Sequence, residues 1–585
     1  MINIPTPNAA SMGIYGQIPV SLFTGTPNIN IPLYELMDSK LDVPVSLSYH
    51  PSLVKPDQQP GWVGLGWNLN CGGSITRISK GNNLYDECGN SDHETYSYYD
   101  NYDKLDYDDW YTTSHLTEDQ DASKVDVEPD EFMFNFAGYS GKFFLNHEGK
   151  WVVQSQSPVQ IEVEHTLNSG QFNGPLCNNW NYFILNRFYI AFKLTTGDGA
   201  KYYFGNDPDE LNHISDTNDF KAIEFSVDVT EGRPNIIGSV IPTTWYLVKV
   251  ESPDGHIIEY NYKRGCPQYN LSSFFQVSSS DYSYELGNCS TFSKILGISG
   301  LGLLTFQYSL IFNFDQTCAE GPHSVFTNIP IDYRVNLLFP SYIDEITAST
   351  GKIKFVRSRT DQLTFNKNII NDHSTGDGSI ISPSLTYSEK LDSINIYDNN
   401  NKPVRSINFY YNNDSNRRLR LGSVKEISSN KEGKVYSFTY NPTFLPDYNS
   451  GKIDHWGFYK GGPSYFSVID EDSIKITRSA DTTDLPYMEA EILTKITYPT
   501  GGTTEFDYEL HDYSAILDRY PFDLTDQEQN LTTGGLRIKK ITSKDTNGDI
   551  LSEKEYFYIK DYISGSALSS GILAGLPEYT EGLGD

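Results

Sequence analysis

The feature that most constrains the fold of this chain is one local pattern that occurs six times. In each copy a strand of alternating apolar and polar residues is followed by a short turn and then by a second strand that contains aromatic residues. Each turn contains Gly or Asn, which adopt positive φ at low cost, so each copy predicts a β-hairpin. The copies span residues 245–262, 343–356, 391–411, 421–440, 493–508 and 536–558.

Repeated hairpins predict an all-β fold of large antiparallel, hairpin-rich sheets with little helix. Composition agrees, because 42 Tyr and 31 Phe stand against only 5 Met, with 46 Gly and 29 Pro at turns. The first 80 residues also alternate, as at Ile29, Ile31 and Leu33. The copies are irregularly spaced, which excludes a strict short-period solenoid or a propeller with equal blades.

Charge and hydropathy exclude two classes of partner. The chain has 44 Lys and Arg against 76 Asp and Glu, a formal net charge of -32, which repels phosphate backbones and anionic lipids. We therefore expect no nucleic-acid partner. No apolar run reaches the length of about 18 residues that a membrane helix needs, so we expect no membrane insertion. The start of the chain shows no signal peptide, because Met1 is followed by neither a basic nor an apolar stretch.

A glycine- and tryptophan-rich stretch, residues 61–77, is predicted to form a structural seam. Glycines alternate with large apolar side chains, so that backbones approach closely while the large side chains are buried. A phosphate-binding loop is a more specific alternative. It is disfavoured because Leu69 occupies the position of the third glycine of such a loop and no helix-forming run follows. The structural residues assigned here are Trp62, Gly64, Gly66 and Trp67.

Four further structural residues lie in later turns. Trp456 and Gly457 follow Asp454 and His455, and Gly501 and Gly502 form a hairpin turn. Asp454 could orient the His455 imidazole as a general base. Adjacent residues of a strand point to opposite faces, however, so we favour a packed Trp456 beside a turn.

No catalytic signature is present, so we assign no catalytic residue, no cofactor and no metal ligand. The metalloprotease, nucleophile-elbow and phosphate-loop motifs are all missing. A glycoside hydrolase needs two carboxylates across a cleft, and these need not be close in the sequence. With 76 acidic residues in the chain, glycoside hydrolysis stays an open alternative. Aromatic-rich β surfaces also suit sugar stacking, which keeps a carbohydrate-binding alternative open.

Residues 82–131 are acidic, rich in Tyr and poor in aliphatic residues, and predict a long surface excursion. No calcium-loop motif is present, so a solvated acidic face is favoured over a calcium site. The six cysteines are far apart, and free thiols are favoured over a disulfide framework. Bridges between Cys71 and Cys88 or between Cys266 and Cys289 remain open alternatives.

Three motifs lie near the start of the chain. They are the Thr-Gly-Thr-Pro-Asn-Ile-Asn-Ile-Pro run at 24–32, the Leu-Ser-Tyr strand at 47–49 and the Trp-Val-Gly-Leu-Gly-Trp run at 62–67. These motifs resemble the N-terminal region of Bacteroidetes RHS/YD-repeat proteins, and more distantly the SpvB-like part of toxin-complex B subunits. The likeness continues at 454–459, 493–502 and 534–538, and Tyr397-Asp398 fits the repeat plan best.

This resemblance implies a partial β-shell, in which hairpins wind into a hollow cage around a C-terminal toxin. It implies a non-enzymatic shell or scaffold segment, located outside the cell or at its surface. Its partner would be the downstream YD-repeat and toxin portion of the same protein or of a second chain. We also expect self-association through the C-terminal strand edge, with residues 553–559 as the outward strand. An adhesin or glycan-binding protein, and then a glycoside hydrolase, are the alternatives.

Five regions are predicted. Residues 1–81 form an N-terminal SpvB-like strand region with the seam, and 82–131 form the acidic excursion. Residues 132–340 and 341–563 form two β-hairpin regions, the second of them YD-like. Residues 564–585, rich in Gly, are expected to be a flexible end.

Overall fold

The computed structural model of the chain describes residues 18–39, 41–80, 98–102, 128–165, 170–172, 183–185, 188–206, 220–228, 241–275, 294–295, 331–365, 386–428, 431–454, 456–461, 466–470, 473–476, 485–517, 523–574 and 582–583. Within these residues nearly every element is a β-strand. Helical structure in the described residues is limited to α1 (Tyr98–Asn101), α2 (Leu485–Met488) and a 3-10 turn (Pro51–Leu53). The predicted all-β fold class with little helix is confirmed.

The strands of the first half of the chain are β1 (Ile29–Asp38), β2 (Leu41–Tyr49), β3 (Trp67–Asn70), β4 (Gly73–Ile78), β5 (Glu131–Phe136), β6 (Tyr139–Leu145), β7 (Trp151–Ser155), β8 (Val159–His165), β9 (Gly170–Phe172), β10 (Phe183–Leu185), β11 (Tyr189–Thr196), β12 (Lys201–Phe204), β13 (Ile223–Asp228), β14 (Ile241–Glu251), β15 (Ile257–Arg264) and β16 (Gln268–Phe275).

The strands of the second half are β17 (Lys294–Ile295), β18 (Ile331–Phe339), β19 (Ser341–Ala348), β20 (Gly351–Arg359), β21 (Glu389–Asp398), β22 (Pro403–Asn412), β23 (Arg420–Ser428), β24 (Lys431–Tyr440), β25 (Phe466–Asp470), β26 (Ser473–Ile476), β27 (Leu493–Thr497), β28 (Thr503–Leu517), β29 (Leu524–Lys544), β30 (Ile550–Glu555), β31 (Ile572–Leu573) and β32 (Gly582–Leu583).

Strand β14 belongs to two sheets at once. Its first half pairs with β4 and β13, within a first sheet ordered β7-β6-β5-β4-β14-β13-β18-β16. Its second half pairs with β12 and β15, within a second sheet. That sheet runs from β8 through β11, β12, β14, β15 and β19 to β24, and then through β27, β28 and β29 to β30. One strand therefore fixes the two sheets to each other.

All six predicted hairpins are present as antiparallel pairs. They are β14–β15, β19–β20, β21–β22, β23–β24, β27–β28 and β29–β30. Gly255 and Gly548 lie in two of the turns with φ of 87° and 89°, the left-handed region that favours glycine. The last strand is shorter than expected, because β30 ends at Glu555 and the amide of Tyr556 then donates to Lys539 O.

Aromatic residues fill the space where the two sheets meet. The Phe132 ring of β5 lies 5.2 Å from the Phe143 ring and 5.4 Å from the Phe192 ring, measured between centroids. Trp245 of β14 packs on Phe192 at 5.1 Å, and its indole nitrogen donates to Tyr189 O over 2.7 Å. Burying several large rings is strongly stabilising, and the buried indole N–H has its hydrogen-bond partner.

The N-terminal strands β1, β2 and β3 form a separate three-stranded sheet, here called the N-terminal layer. One face carries buried apolar residues such as Ile31, Val45 and Leu47, and the alternate positions, such as Asn30 and Asp42, are exposed. This is the period-two alternation read from the sequence. The apolar face packs on the second sheet, where the hydroxyl of Tyr49 accepts a hydrogen bond from the Leu493 amide over 2.9 Å.

Part of the predicted acidic excursion is anchored rather than solvated. Helix α1 buries Tyr98 and Tyr99, and the Tyr98 hydroxyl donates to Leu145 O over 3.1 Å. The Tyr99 ring lies 5.4 Å from the Tyr189 ring. Tyrosine supplies apolar area in a segment with few aliphatic residues, which is why a count of aliphatic residues missed the anchor.

Part of the end that was expected to be flexible is also held. Residues 564–574 fold back onto β28, where β31 pairs in parallel with Ala515 and Ile516. Ser569 is buried and its hydroxyl bonds to Asp512. The cysteine prediction needs one correction, because Cys266 is disulfide-bonded. Its partner lies outside the described residues, while Cys71 is free.

Candidate functional site

The predicted seam runs from the N-terminal layer across the second sheet. The Leu65 amide donates to Leu419 O over 2.9 Å, and Trp62 O accepts a hydrogen bond from the Leu391 amide over 2.8 Å. The Gly61–Gly64 bridge closes a tight turn between these two contacts. Backbone bonds thus join the seam to the strand region of β21 and β23, more than 300 residues further along the chain.

Gly64 and Gly66 both lie at positions where a side chain would not fit. Their φ angles are 98° and 79°, in the left-handed region. A Cβ on Gly64 would lie 2.9 Å from the Leu421 nitrogen, and one on Gly66 would lie 2.6 Å from the Tyr49 ring. The glycines therefore allow the seam backbone to lie directly against its neighbours.

The two tryptophans of the seam differ in burial. Trp67 is 1% exposed and packs between Tyr49 and Phe438, with ring centroids 5.1 Å and 4.6 Å away. Its indole nitrogen donates to the Tyr440 hydroxyl over 2.8 Å. Trp62 is half-buried and contacts Tyr342, with the ring centroids 5.2 Å apart. Trp67 is a core residue, whereas Trp62 faces a cavity described below.

Trp456 and Gly457 lie in a tight turn rather than in a strand. Oδ1 of Asp454 accepts hydrogen bonds from the amides of Trp456 and Phe458 over 2.9 and 2.8 Å, and Gly457 has φ of 80°. Asp454 thus caps the turn. The sequence argument assumed that Asp454 and His455 are adjacent residues of a strand, and the structure corrects this assumption. His455 itself lies outside the described residues. Lys55 ties the turn to the seam region by donating to Trp456 O over 2.9 Å.

Asp454 is a buried carboxyl group. Among the described residues its Oδ2 has no hydrogen-bond partner, and this oxygen lies against Gly534 of β29. Burial raises the pKa of Asp454 to about 6, although the two backbone amides and the charges of Lys55 and Lys460 act in the opposite direction. The turn therefore holds a group that titrates close to neutral pH.

Gly501 and Gly502 form the turn between β27 and β28. The Gly501 amide donates to Tyr498 O over 2.8 Å, and Gly501 has φ of 88°. A Cβ on Gly501 would lie 2.9 Å from the side chain of Thr546, in the next hairpin turn of the sheet. These glycines serve the packing of adjacent turns.

A cavity of about 990 Å³ lies on the polar side of the N-terminal layer. Strands β2 and β3 supply one wall, on which Ser46 stands opposite Asn70 and Ser48 stands opposite Asn68. Residues i and i+2 of a strand share a face, so these four side chains form one patch, here called the Asn/Ser patch. Within the described part of the chain, none of the four side chains makes a hydrogen bond.

A second part of the cavity wall combines aromatic rings with two glutamates. Tyr342 lies beside Trp62, and its hydroxyl accepts a hydrogen bond from Gln268 Nε2 over 2.9 Å. Oε1 of Glu224 accepts a hydrogen bond from the Ser341 amide over 3.1 Å. Glu389 accepts one from Arg357 Nε over 2.8 Å. All five of the wall residues Trp62, Tyr342, Gln268, Glu224 and Glu389 line the cavity.

Both glutamates have raised pKa values. Burial raises the pKa of Glu224, against hydrogen bonds from Ser341 and Tyr246 and the charge of Arg264. Burial likewise raises the pKa of Glu389, against the charge and hydrogen bond of Arg357. Each carboxylate is therefore balanced by its own arginine, and the wall offers hydrogen-bonding groups with little net charge.

Sequence reasoning missed this cavity wall. Its members come from the seam, β13, β16, β19 and β21, so no local spacing relates them, and only long-range strand pairing brings them together. The one available signal was Trp62, which was assigned to the seam. Among the described residues no cluster of His, Cys, Asp and Glu has a metal-binding arrangement. No described helix has both the length and the apolar character needed to cross a membrane.

No known protein-family model matches the chain, and no curated protein matches it. Among solved structures it is similar to TcdB2-TccC3-Cdc42, with 11% identity and a TM-score of 0.28 over 72% of this chain and 16% of that one. The N-terminal domain of the effector SpvB from Salmonella typhimurium strain LT2 gives 10% identity and a TM-score of 0.25, over 68% of this chain and 98% of that one.

The Photorhabdus luminescens Tc holotoxin pore gives 10% identity and a TM-score of 0.29, over 92% of this chain and 21% of that one. This chain thus spans about a fifth or less of the length of the toxin-complex chains named here. At these scores the likeness carries no inference, and function is argued from the residues.

Proposed function

We propose that this chain is a non-enzymatic shell or scaffold segment of an RHS/YD-repeat toxin-like protein. It would begin or seal a β-cage that encloses a C-terminal effector. Its partner would be the downstream YD-repeat and toxin portion, on the same or a second chain. Its location would be extracellular or at the cell surface. The sequence motifs that resemble this family motivate the proposal.

The observation that carries this proposal is the order of the second sheet. From β19 to β24 and from β27 to β30, each strand pairs with the next strand of that sheet along the chain, so the sheet extends by one hairpin at a time. Among the described strands, β30 pairs only with β29. Every residue of β30 is exposed, including Ile550 at 60% and Leu551 at 70%. An exposed strand edge of this kind accepts a further strand.

The N-terminal layer supports the same proposal. It covers one face of the second sheet through Tyr49 and Trp67, and Asp38 attaches its far end to the turn of the β19–β20 hairpin. A shell segment needs a closed end as well as an extendable one. The layer would supply the closed end and β30 the extendable one.

The test measures association through β30 in the intact chain. Light scattering over a range of micromolar concentrations should show oligomers that grow with concentration. The double substitution Ile550→Lys and Leu551→Lys places charges on the exposed edge and should reduce them, because charged edges resist pairing. Val404→Lys is the matched control, since Val404 is 44% exposed but belongs to an interior strand of the sheet.

Two results would contradict the shell proposal. One is a chain that stays monomeric at every concentration while its β30 amides are protected from hydrogen exchange, which would mean that another part of the same chain covers the edge. The other is association that the control reduces as strongly as the double variant does. A cell-surface glycan-binding protein is the second candidate, and the aromatic and amide groups of the cavity favour it.

A further inference from the structure

We infer that the cavity between the N-terminal layer and strands β13 to β21 is a binding site for a neutral oligosaccharide. The inference goes beyond the shell proposal and does not depend on it. It rests on the lining of the cavity, which offers the two kinds of group that a sugar needs. A pyranose ring presents hydroxyl groups at its rim and C–H groups on its faces, so it binds to amides and hydroxyls at its edge and to aromatic rings on its face.

The Asn/Ser patch supplies the edge contacts. Asn68 and Asn70 each carry a side-chain amide that can both donate and accept, and Ser46 and Ser48 add two hydroxyls. Their strand register places the four groups in two adjacent rungs on one face. Since none of them is bonded within the described part of the chain, all are available to a ligand.

Trp62 and Tyr342 supply the face contact. Trp62 is half-buried, so part of its ring remains accessible, and its position is fixed by the hydrogen bond from the Leu391 amide to its carbonyl. Tyr342 packs against this ring, with the two ring centroids 5.2 Å apart. A platform fixed by packing and by backbone hydrogen bonds loses little side-chain freedom on binding.

Charge and size narrow the ligand class. The cavity wall pairs each of its two glutamates with an arginine and so offers no excess positive charge, while the chain as a whole carries a net charge of -32, which repels an anionic ligand. A purely apolar ligand would leave the Asn/Ser patch without water and without partners. The volume of about 990 Å³ lies at the upper end of the range of roughly 300–1,000 Å³ for small-molecule sites. A neutral sugar of two or three residues meets these limits.

The experiment titrates the full chain with three neutral trisaccharides, maltotriose, cellotriose and triacetylchitotriose. Isothermal titration measures affinity, and saturation-transfer difference NMR identifies the sugar protons in contact. Sialyllactose tests an anionic sugar of similar size, and triglycine tests a short peptide. We expect saturable binding of at least one neutral trisaccharide, with saturation transferred to the ring C–H protons.

The variant Asn68→Ala with Asn70→Ala probes the edge contacts. Both positions are exposed, so the fold should survive, and loss of two or more hydrogen bonds should weaken binding at least about tenfold. Trp62→Leu removes the aromatic face and should also weaken binding. Asn400→Ala, in the exposed turn between β21 and β22, is the control and should bind as the wild type does.

Three outcomes would overturn the inference. The first is no saturable binding of any neutral trisaccharide at millimolar concentration. The second is binding that the double asparagine variant leaves unchanged, which would place the sugar elsewhere. The third is preferential binding of sialyllactose or triglycine. None of these results bears on whether β30 associates, so this inference and the shell proposal fail separately.

Discussion

Asp38 at the end of β1 binds Ser349, which is 311 residues away in the turn between β19 and β20. Oδ2 of Asp38 accepts the Ser349 amide over 2.7 Å, and Oδ1 accepts the Ser349 hydroxyl over 2.8 Å. His256 Nδ1 lies 3.2 Å from the same Oδ1, so a second hairpin turn meets the carboxylate. One side chain of the N-terminal layer therefore holds two turns of the second sheet.

We expect Asp38→Ala to lower the free energy of unfolding by about 2 kcal/mol, because it leaves the Ser349 amide without its partner. Burial alone would raise the pKa of Asp38, but the hydrogen bonds from Ser349 and His256 outweigh burial and lower it. A lowered folded-state pKa stabilises the protein above the unfolded value of 3.8, and this contribution is lost as pH falls through the folded value.

The difference between wild type and Asp38→Ala should thus be constant above about pH 5 and shrink below about pH 4. Urea denaturation at several pH values measures it. Asp42→Ala is the matched control, since Asp42 is exposed on the next strand. Equal effects of the two substitutions would show that the Asp38 contacts do not stabilise the fold.

Replacing the core tryptophan of the seam should be costly. Trp67→Ala removes a ring packed between Tyr49 and Phe438, and the glycines beside it offer no side chains to refill the space. We expect a loss of roughly 3 to 5 kcal/mol in the free energy of unfolding. Trp67→Phe keeps one aromatic ring but loses the pyrrole part of the indole and its bond to Tyr440, so its effect should be smaller than that of Trp67→Ala. An unchanged denaturation midpoint for Trp67→Ala would refute the packing role.

The Asp454 turn should make stability depend on pH near neutrality. Burial raises the folded-state pKa to about 6 from the ordinary value of 3.8, so between these values the folded state binds the proton more tightly. Stability must then fall as pH rises from about 4 to 6, and stay level above. Asp454→Asn keeps an oxygen for the two turn amides but has no proton to lose.

The free energy of unfolding of Asp454→Asn, minus that of the wild type, should therefore rise by roughly 2 kcal/mol between pH 4 and pH 7. Denaturation curves of the two proteins, collected in parallel, measure this difference. The contributions of the other titrating groups are the same in both proteins and therefore cancel. A difference that stays constant across this range would mean that Asp454 is ionised throughout.

Helix α1 should anchor the segment that precedes β5. Tyr98→Ala removes a buried ring and its bond to Leu145 O, and we expect a cost of about 3 kcal/mol. Tyr410→Ala, at a site 50% exposed, should change the free energy of unfolding by less than roughly 0.5 kcal/mol. Thermal denaturation of both variants provides the comparison, and equal melting temperatures would show that α1 can be removed without loss.

The sequence was most informative where structure is local. Turn residues such as Gly255 and Gly548 sit between alternating strands, so each hairpin was predictable from about twenty residues. The double pairing of β14 was not, because β4, which pairs with its first half, comes from a distant part of the chain. The cavity wall was missed for the same reason, since Trp62, Gln268 and Glu389 have no local relation.

The contact between Tyr49 and Leu493 also bears on how the protein is made. These residues are separated by 444 positions, so the N-terminal layer leaves the ribosome long before the strand that it packs on exists. At about 5 to 20 residues per second, that interval is roughly 20 to 90 s. Throughout it, part of the native cover for the apolar face of β1 to β3 has not yet been made, and long-range pairing of this kind is slow to form. A cell that produces this protein has to protect an aggregation-prone sheet for more than a quarter of a minute.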